Sequence, residues 1–241
     1  ELIDGGWRMK QLHKSILLSN TYQQSSRVTN PEAVKRDPGN SLLWRHNLRR
    51  LEAEVIRDSI LAVNGRLNLK AGGASIFPEL SKEVLATQSR PGSGWNQSSE
   101  EEQTRRSVYI YIKRTLTVPL LDSFDQPTPD QPTPIRATTT IAPQALILLN
   151  SHFMDRNASA FAARLIREAG QDMGQQVRLG FQLALLREPD ADETQLALQF
   201  LASQRKEFEA LQPNKIGMAT EQALVAFCRM LFNLNEFVYL D

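Results

Sequence analysis

The chain has 241 residues, is 41% hydrophobic, and carries 28 basic against 27 acidic side chains for a net charge of +1. That apolar content suffices for one large core or two small ones, and nothing in the charge balance argues for a polyanion partner. A single cysteine, Cys228, excludes an internal disulfide, a cysteine-rich metal site and haem attachment through Cys-x-x-Cys-His; the histidines His13, His46 and His152 stand at unrelated spacings.

No apolar run reaches the roughly 18 residues a membrane-spanning helix needs, so no transmembrane segment is expected. The chain starts at Glu1 inside an amphipathic segment and reads as a piece of something longer. The missing signal peptide then says nothing about localisation.

In chain order, residues 7–18 pattern as a helix, with Trp7, Leu12, Ile16 and Leu17 on one broad face. Residues 20–30 are polar and loop-like. Residues 31–35 suit a short helical turn, ended by Asp37-Pro38-Gly39-Asn40. Residues 41–64 give the clearest helical pattern, capped by Ser41 and closed by Gly65. Its apolar arc holds Leu48, Leu51, Val55, Ala62 and Val63, with Ile56 and Ile60 extending it; Arg50, Glu54, Arg57 and Asp58 fall opposite. Arg49 and Glu52 fall inside the apolar arc.

Residues 66–79 are irregular, and 80–88 fit a short helix or a ragged strand. The Gly-, Ser- and Glu-rich stretch 89–102 reads as a linker or surface loop. A subdivision near 89–104 would separate an N-terminal helical part, 1–88, from a C-terminal part, 105–241. Residues 107–112 (SVYIYI) are the best strand, with 74–77 and 138–141 as candidate partners. Pro119, Pro127, Pro129, Pro132 and Pro134 make 119–134 an extended crossover, because proline lacks the amide donor. Four helices follow: from Pro143 to about Glu168, closed by Gly170; Met173 to Arg187; Asp190 to about Leu211, opened by the box Asp190–Glu193; and Met218 to Leu234.

Several constellations carry possible chemistry. Glu52 and Asp58 are a candidate carboxylate pair, but on one helix they point about 120° apart and need a third element to converge. A carboxylate on an apolar face must be paired or protonated, so Glu52 is expected to meet Arg49 or an arginine from elsewhere, such as Arg106. Arg105, Arg106, Lys113 and Arg114 flank Tyr109 and Tyr111, the mixture that binds single-stranded nucleic acid. The acidic run Glu100, Glu101 and Glu102 beside them argues against that partner. Asp122, Asp125, Asp130 and Thr138, Thr139 and Thr140 offer oxygens, but their spacing fits no calcium loop. His152, beside Met154, reads as a hydrogen-bonded residue rather than a haem ligand, and Cys228 as a small buried packer. Asn96-Gln-Ser98 and Asn157-Ala-Ser159 match glycosylation sequons, a pattern common by chance.

Four blocks, taken in order, resemble one family: Met9–Ser26, Asp37–Leu67 (DPGNSLLWRHNLRRLEAEVIRDSILAVNGRL), Arg105–Asn150 and Cys228–Asp241 (CRMLFNLNEFVYLD). The chain is similar to the planctomycete surface domain of type 1, DUF1553. The resemblance implies the C-terminal module of a long exported protein, with a companion DUF1549 domain and often a c-type cytochrome domain upstream. It implies an extracytoplasmic setting in planctomycetes and their relatives, and no assigned catalytic residues. One departure is visible. Where family members often carry a cysteine before the crossover proline, this chain has Thr133 before Pro134.

The expectation is therefore a mainly α fold, a multi-helix assembly with a small β element and a long Pro/Thr-rich crossover, over a single domain spanning 1–241. The expected role is a non-catalytic structural or interaction module. The competing roles are a polysaccharide-acting enzyme using Glu52, Asp58 or Asp125, and a docking surface for a c-type cytochrome domain. The residues expected to matter are structural. Trp44 and Arg45 anchor the long helix, and Arg49, Glu52 and Asp58 form its polar network. Arg106, Asp125 and Arg136 pin the crossover, while Asn150 and Asn235 serve helix ends or buried hydrogen bonds. No metal, haem or other cofactor is expected within the chain, and no nucleic-acid partner.

Overall fold

The computed structural model describes residues 2–28 and 30–240. These residues form twelve α-helices and one two-stranded sheet of two residues per strand, so the fold is mainly α. The chain divides into two units, Glu1–Arg50 with Tyr239–Asp241, and Leu51–Val238. Residues 89–104, the expected linker, lie inside the second unit.

The first unit holds α1 (Met9–Leu17), α2 (Pro31–Arg36), and the strands β1 (Arg49–Arg50) and β2 (Tyr239–Leu240). The strands pair antiparallel, Arg49 with Leu240 and Arg50 with Tyr239. Among the described residues of this unit only Asn40 and Arg50 are buried.

The helix expected over 41–64 is corrected to α3 (Ala53–Val63). The preceding residues have other hydrogen-bond partners. Asp37 accepts the amides of Ser41 at 2.9 Å and Leu42 at 2.7 Å. Asn40 and Leu43 have φ of 56° and 55°, the left-handed region that ends rather than propagates a right-handed helix. Asn40 then donates to the Arg45 carbonyl at 2.7 Å and accepts its amide at 3.2 Å. The buried face of α3 is Ala53, Ile56, Ile60, Leu61 and Val63, whereas Val55 is exposed. Gly65 does follow the helix with φ of 78°.

The second unit continues with α4 (Lys82–Ala86), α5 (Glu100–Gln103), α6 (Pro119–Ser123), α7 (Ala142–Asn150), α8 (His152–Ala169), α9 (Met173–Leu185), α10 (Ala191–Leu211), α11 (Ala219–Asn233) and α12 (Asn235–Val238). Helix α11 packs against α7, α8, α9 and α10 and buries Leu224, Phe227, Cys228, Leu231 and Phe232. Gly180 of α9 permits close approach, since a Cβ there would lie 3.0 Å from Phe227 and 3.1 Å from Leu231.

Three further expectations are corrected. Residues 107–112 are not a strand: Ser107–Tyr109 form a 3₁₀ turn, and a single parallel bridge joins Ile110 to Ile76. Pro119 does not begin an extended crossover, because it opens α6, where its missing amide costs nothing. The helix expected from Pro143 onward breaks at Ser151, whose hydroxyl accepts the Met154 amide and starts α8. The stretch 89–102 is largely exposed turn and loop, anchored at Trp95. Trp95 packs with Leu80 and Leu116 and donates its indole N–H to the Pro78 carbonyl at 2.9 Å.

Candidate functional site

Three polar nodes and one cavity carry the chemistry of the second unit. The first node is centred on Arg57, only 2% exposed although the sequence pattern places it on the polar face. It donates to the carbonyls of Arg105 (3.0 Å) and Gln103 (2.5 Å) and to Ser107 Oγ at 3.1 Å. Burial pushes its pKa down to about 10, with Asp58 partly opposing that shift. Asp58 lies 3.6 Å from Arg57 and accepts both the amide (2.8 Å) and the hydroxyl (2.7 Å) of Ser107.

The second node is Arg105, 1% exposed. Its guanidinium donates to the carbonyls of Lys70, Gly72 and Ala74 and, at 2.9 Å, to Glu102, and it sits over the Tyr109 ring. It fixes the irregular segment 70–74, whose carbonyls have no helix or sheet to satisfy them. The third node ties the crossover. Asp125 accepts the amide (2.8 Å) and the hydroxyl (2.9 Å) of Thr139. Buried Gln144 donates to the carbonyls of Ser123 and Thr139.

The cavity, about 550 Å³, is floored by the buried residues Leu61, Leu80 and Leu120. Half-exposed charges stand at its mouth. Glu100 bonds Arg66 at 2.6 Å and Arg156 at 2.8 Å, and Glu79 bonds Arg156 at 2.5 Å with His152 at 3.7 Å. Its two carboxylates thus share one arginine. Its serines, Ser81 and Ser151, are helix caps.

The family model PSD1, described as a protein of unknown function (DUF1553), matches residues 1–201. The chain belongs to the DUF1553 family. The fourth block of the resemblance, residues 228–241, falls outside the matched range. No curated protein and no solved structure matches the chain.

The residues singled out in this DUF1553 chain fall in separate places. Glu52 is the residue before α3 and its side chain is 42% exposed; its carboxylate lies 3.4 Å from Arg136, an arginine from elsewhere in the chain. Arg136 bonds Glu54 more closely, at 2.7 and 3.1 Å. Burial opposes ionisation of Glu54, yet these bonds hold its carboxyl below the usual range. Arg106 is exposed and 3.9 Å from Asp58. Trp44 donates to the Asp37 carbonyl at 2.9 Å and stacks with Arg45, so both serve the 37–45 turn and not a helix. Arg49 lies in β1. Asn150 ends α7 at the cavity, and Asn235 starts α12 exposed; Asn233 bonds from α11 to the Leu148 carbonyl of α7.

The remaining groups are equally dispersed. Among the described residues no three His, Cys, Asp or Glu side chains gather as a metal site. Asp130 pairs with Arg114, Lys113 with the Ser93 carbonyl, and Asp122 is exposed. Cys228 is fully buried, which pushes its thiol pKa well up. Asn157 is 3% exposed and accepts from Asn64 at 2.7 Å, so its sequon is inside the fold. No helix is long and apolar enough to cross a membrane, among the described residues.

Sequence reasoning missed Arg57, Arg105 and Gln144. Their signal was present but ambiguous: a polar side chain beside irregular, Gly- or Pro-rich backbone, where carbonyls need donors.

Proposed function

We propose that this chain is a non-catalytic structural and interaction module of a larger exported protein. One observation supports the reading above the others. Glu52, Asp58 and Asp125 are each held by a different partner set, Arg136, Ser107 with Arg57, and Thr139, and none of them lines the cavity. Glycoside hydrolysis needs two carboxylates facing each other across a cleft, roughly 5–9.5 Å apart. The acids that do line the cavity, Glu79 and Glu100, are both engaged by Arg156.

The partners are a companion DUF1549 domain and a c-type cytochrome domain, and the setting is extracytoplasmic in a planctomycete. These rest on the family resemblance of the four sequence blocks. The module contributes no cofactor of its own. The test is a panel of neutral and acidic polysaccharides incubated with the chain, beside a binding assay against the haem-bearing domain at rising salt. The reading expects no hydrolysis and a complex that weakens as salt screens its charges. Hydrolysis that disappears in Asp58→Asn or Glu52→Gln would establish the enzyme instead.

A further inference from the structure

The cavity is distinct from the three polar nodes in what it offers a ligand. Its volume of about 550 Å³ falls in the range of small-molecule sites, roughly 300–1,000 Å³. Its floor is Leu61, Leu80 and Leu120, all under 9% exposed, with Val118 and Ile147 beside them. Such a surface takes a hydrocarbon or aryl body and has too few uncommitted hydrogen-bonding groups to read a sugar.

The charges select the other end of the ligand. Four cationic side chains, Arg57, Arg66, Lys82 and Arg156, line the cavity against two carboxylates, Glu79 and Glu100. Both carboxylates are already engaged by arginine, so a cationic ligand would have to displace one. Lys82 makes no ion pair among the described residues and is exposed at the cavity. Arg57 adds a buried positive charge whose bonds go mainly to neutral oxygens. Ser151, His152 and Phe153 bring the N-terminal turn of the 18-residue helix α8 to the same wall. The first amides of a helix have no intrahelical acceptor and carry its positive dipole end. Low-dielectric walls around a net positive lining concentrate that field.

We propose that this cavity binds an amphipathic monocarboxylate. The apolar body lies on Leu61, Leu80 and Leu120, and the carboxylate meets Lys82 and the first turn of α8. Binding is a property of the second unit alone and does not depend on the module having the partners named above.

Decanoate, 1-decanol and decylamine, each below its aggregation concentration, separate the contributions by titration calorimetry on the full chain. The expected result is saturable binding of one decanoate, decanol weaker by about tenfold, the worth of about 1.4 kcal/mol, and no binding of decylamine. Lys82→Gln is a surface change that leaves folding intact; it should weaken decanoate several-fold and leave decanol unchanged. Val84→Trp narrows the cavity and should reduce both ligands, with a melting curve beside the titration to show that the variant is folded. Equal affinity for decanoate and decanol would overturn the proposal. So would tighter binding of decylamine, a Lys82→Gln variant that binds decanoate as the parent does, or no saturable binding of decanoate.

Discussion

Residues 142–233 and residues 66–141 of the same unit are held by opposite means. The first stretch satisfies its own backbone in helices and is fixed by apolar contact: Phe161 and Phe232 are fully buried, 5.4 Å between ring centres. The second has short helices and long irregular runs, so its carbonyls and amides need side-chain partners. Arg57, Arg105, Gln103, Asp125 and Gln144 supply them. The lesson is that charged residues in the irregular half are read more safely as backbone ligands than as reactive groups.

The comparison can be broken from either side. The largest effects are expected where each half has its strongest element. Phe232→Ala should cost about 3–5 kcal/mol through a large cavity, measured by denaturant unfolding. Arg105→Ala should cost a similar amount, about 3–5 kcal/mol, because it leaves the carbonyls of Lys70, Gly72 and Ala74 without their donor. If Arg105→Ala is near neutral, the irregular half does not depend on that guanidinium. Gly180→Val should cost about 1–3 kcal/mol by overpacking against Phe227 and Leu231.

A smaller effect is expected from pH. Hydrogen bonds from Arg187 hold Glu193 at about 2, below its ordinary value of 4.5. The depressed carboxyl stabilises the fold fully above pH 4.5 and loses that contribution as pH falls toward 2, since the unfolded chain is protonated first. Glu54 and Glu168 shift the same way. Thermal midpoints should therefore fall between pH 4.5 and 2, and less steeply in Glu193→Gln. A parallel fall in that variant would remove the Arg187 network from the account. The smallest effect belongs to Glu52→Gln, expected under about 1 kcal/mol for a half-exposed ion pair.

Much of the helical half was legible in the sequence. Pro143 stands at the first turn of α7, Asp190 and Glu193 do form a capping box, and Gly170 closes α8 with φ of 68°. These are local devices, settled within a few residues. The irregular half was not legible for a matching reason. The apolar and charged periodicity of 41–64 is helical throughout, yet Asp37 and Asn40 capture its first amides and carbonyls. The pattern SVYIYI has strand composition but no neighbouring strand to pair with, so it collapses into a turn with one bridge. Of the candidate site, Asp58 and Asp125 were legible as polar residues of interest. Their partners Ser107 and Thr139 lie 49 and 14 residues away, and nothing local in the sequence pairs them.

The central claim is that the candidate acids hold the fold together and do not perform chemistry. The most direct test is the thermal unfolding midpoint of Asp58→Asn against the parent chain. Asp58 accepts two hydrogen bonds from Ser107 beside the buried Arg57. Removing its charge should lower the midpoint by several degrees, the equivalent of about 1–3 kcal/mol. Residues kept for catalysis at the expense of stability behave the other way, and their replacement is commonly neutral or stabilising. An unchanged or raised midpoint would contradict the account.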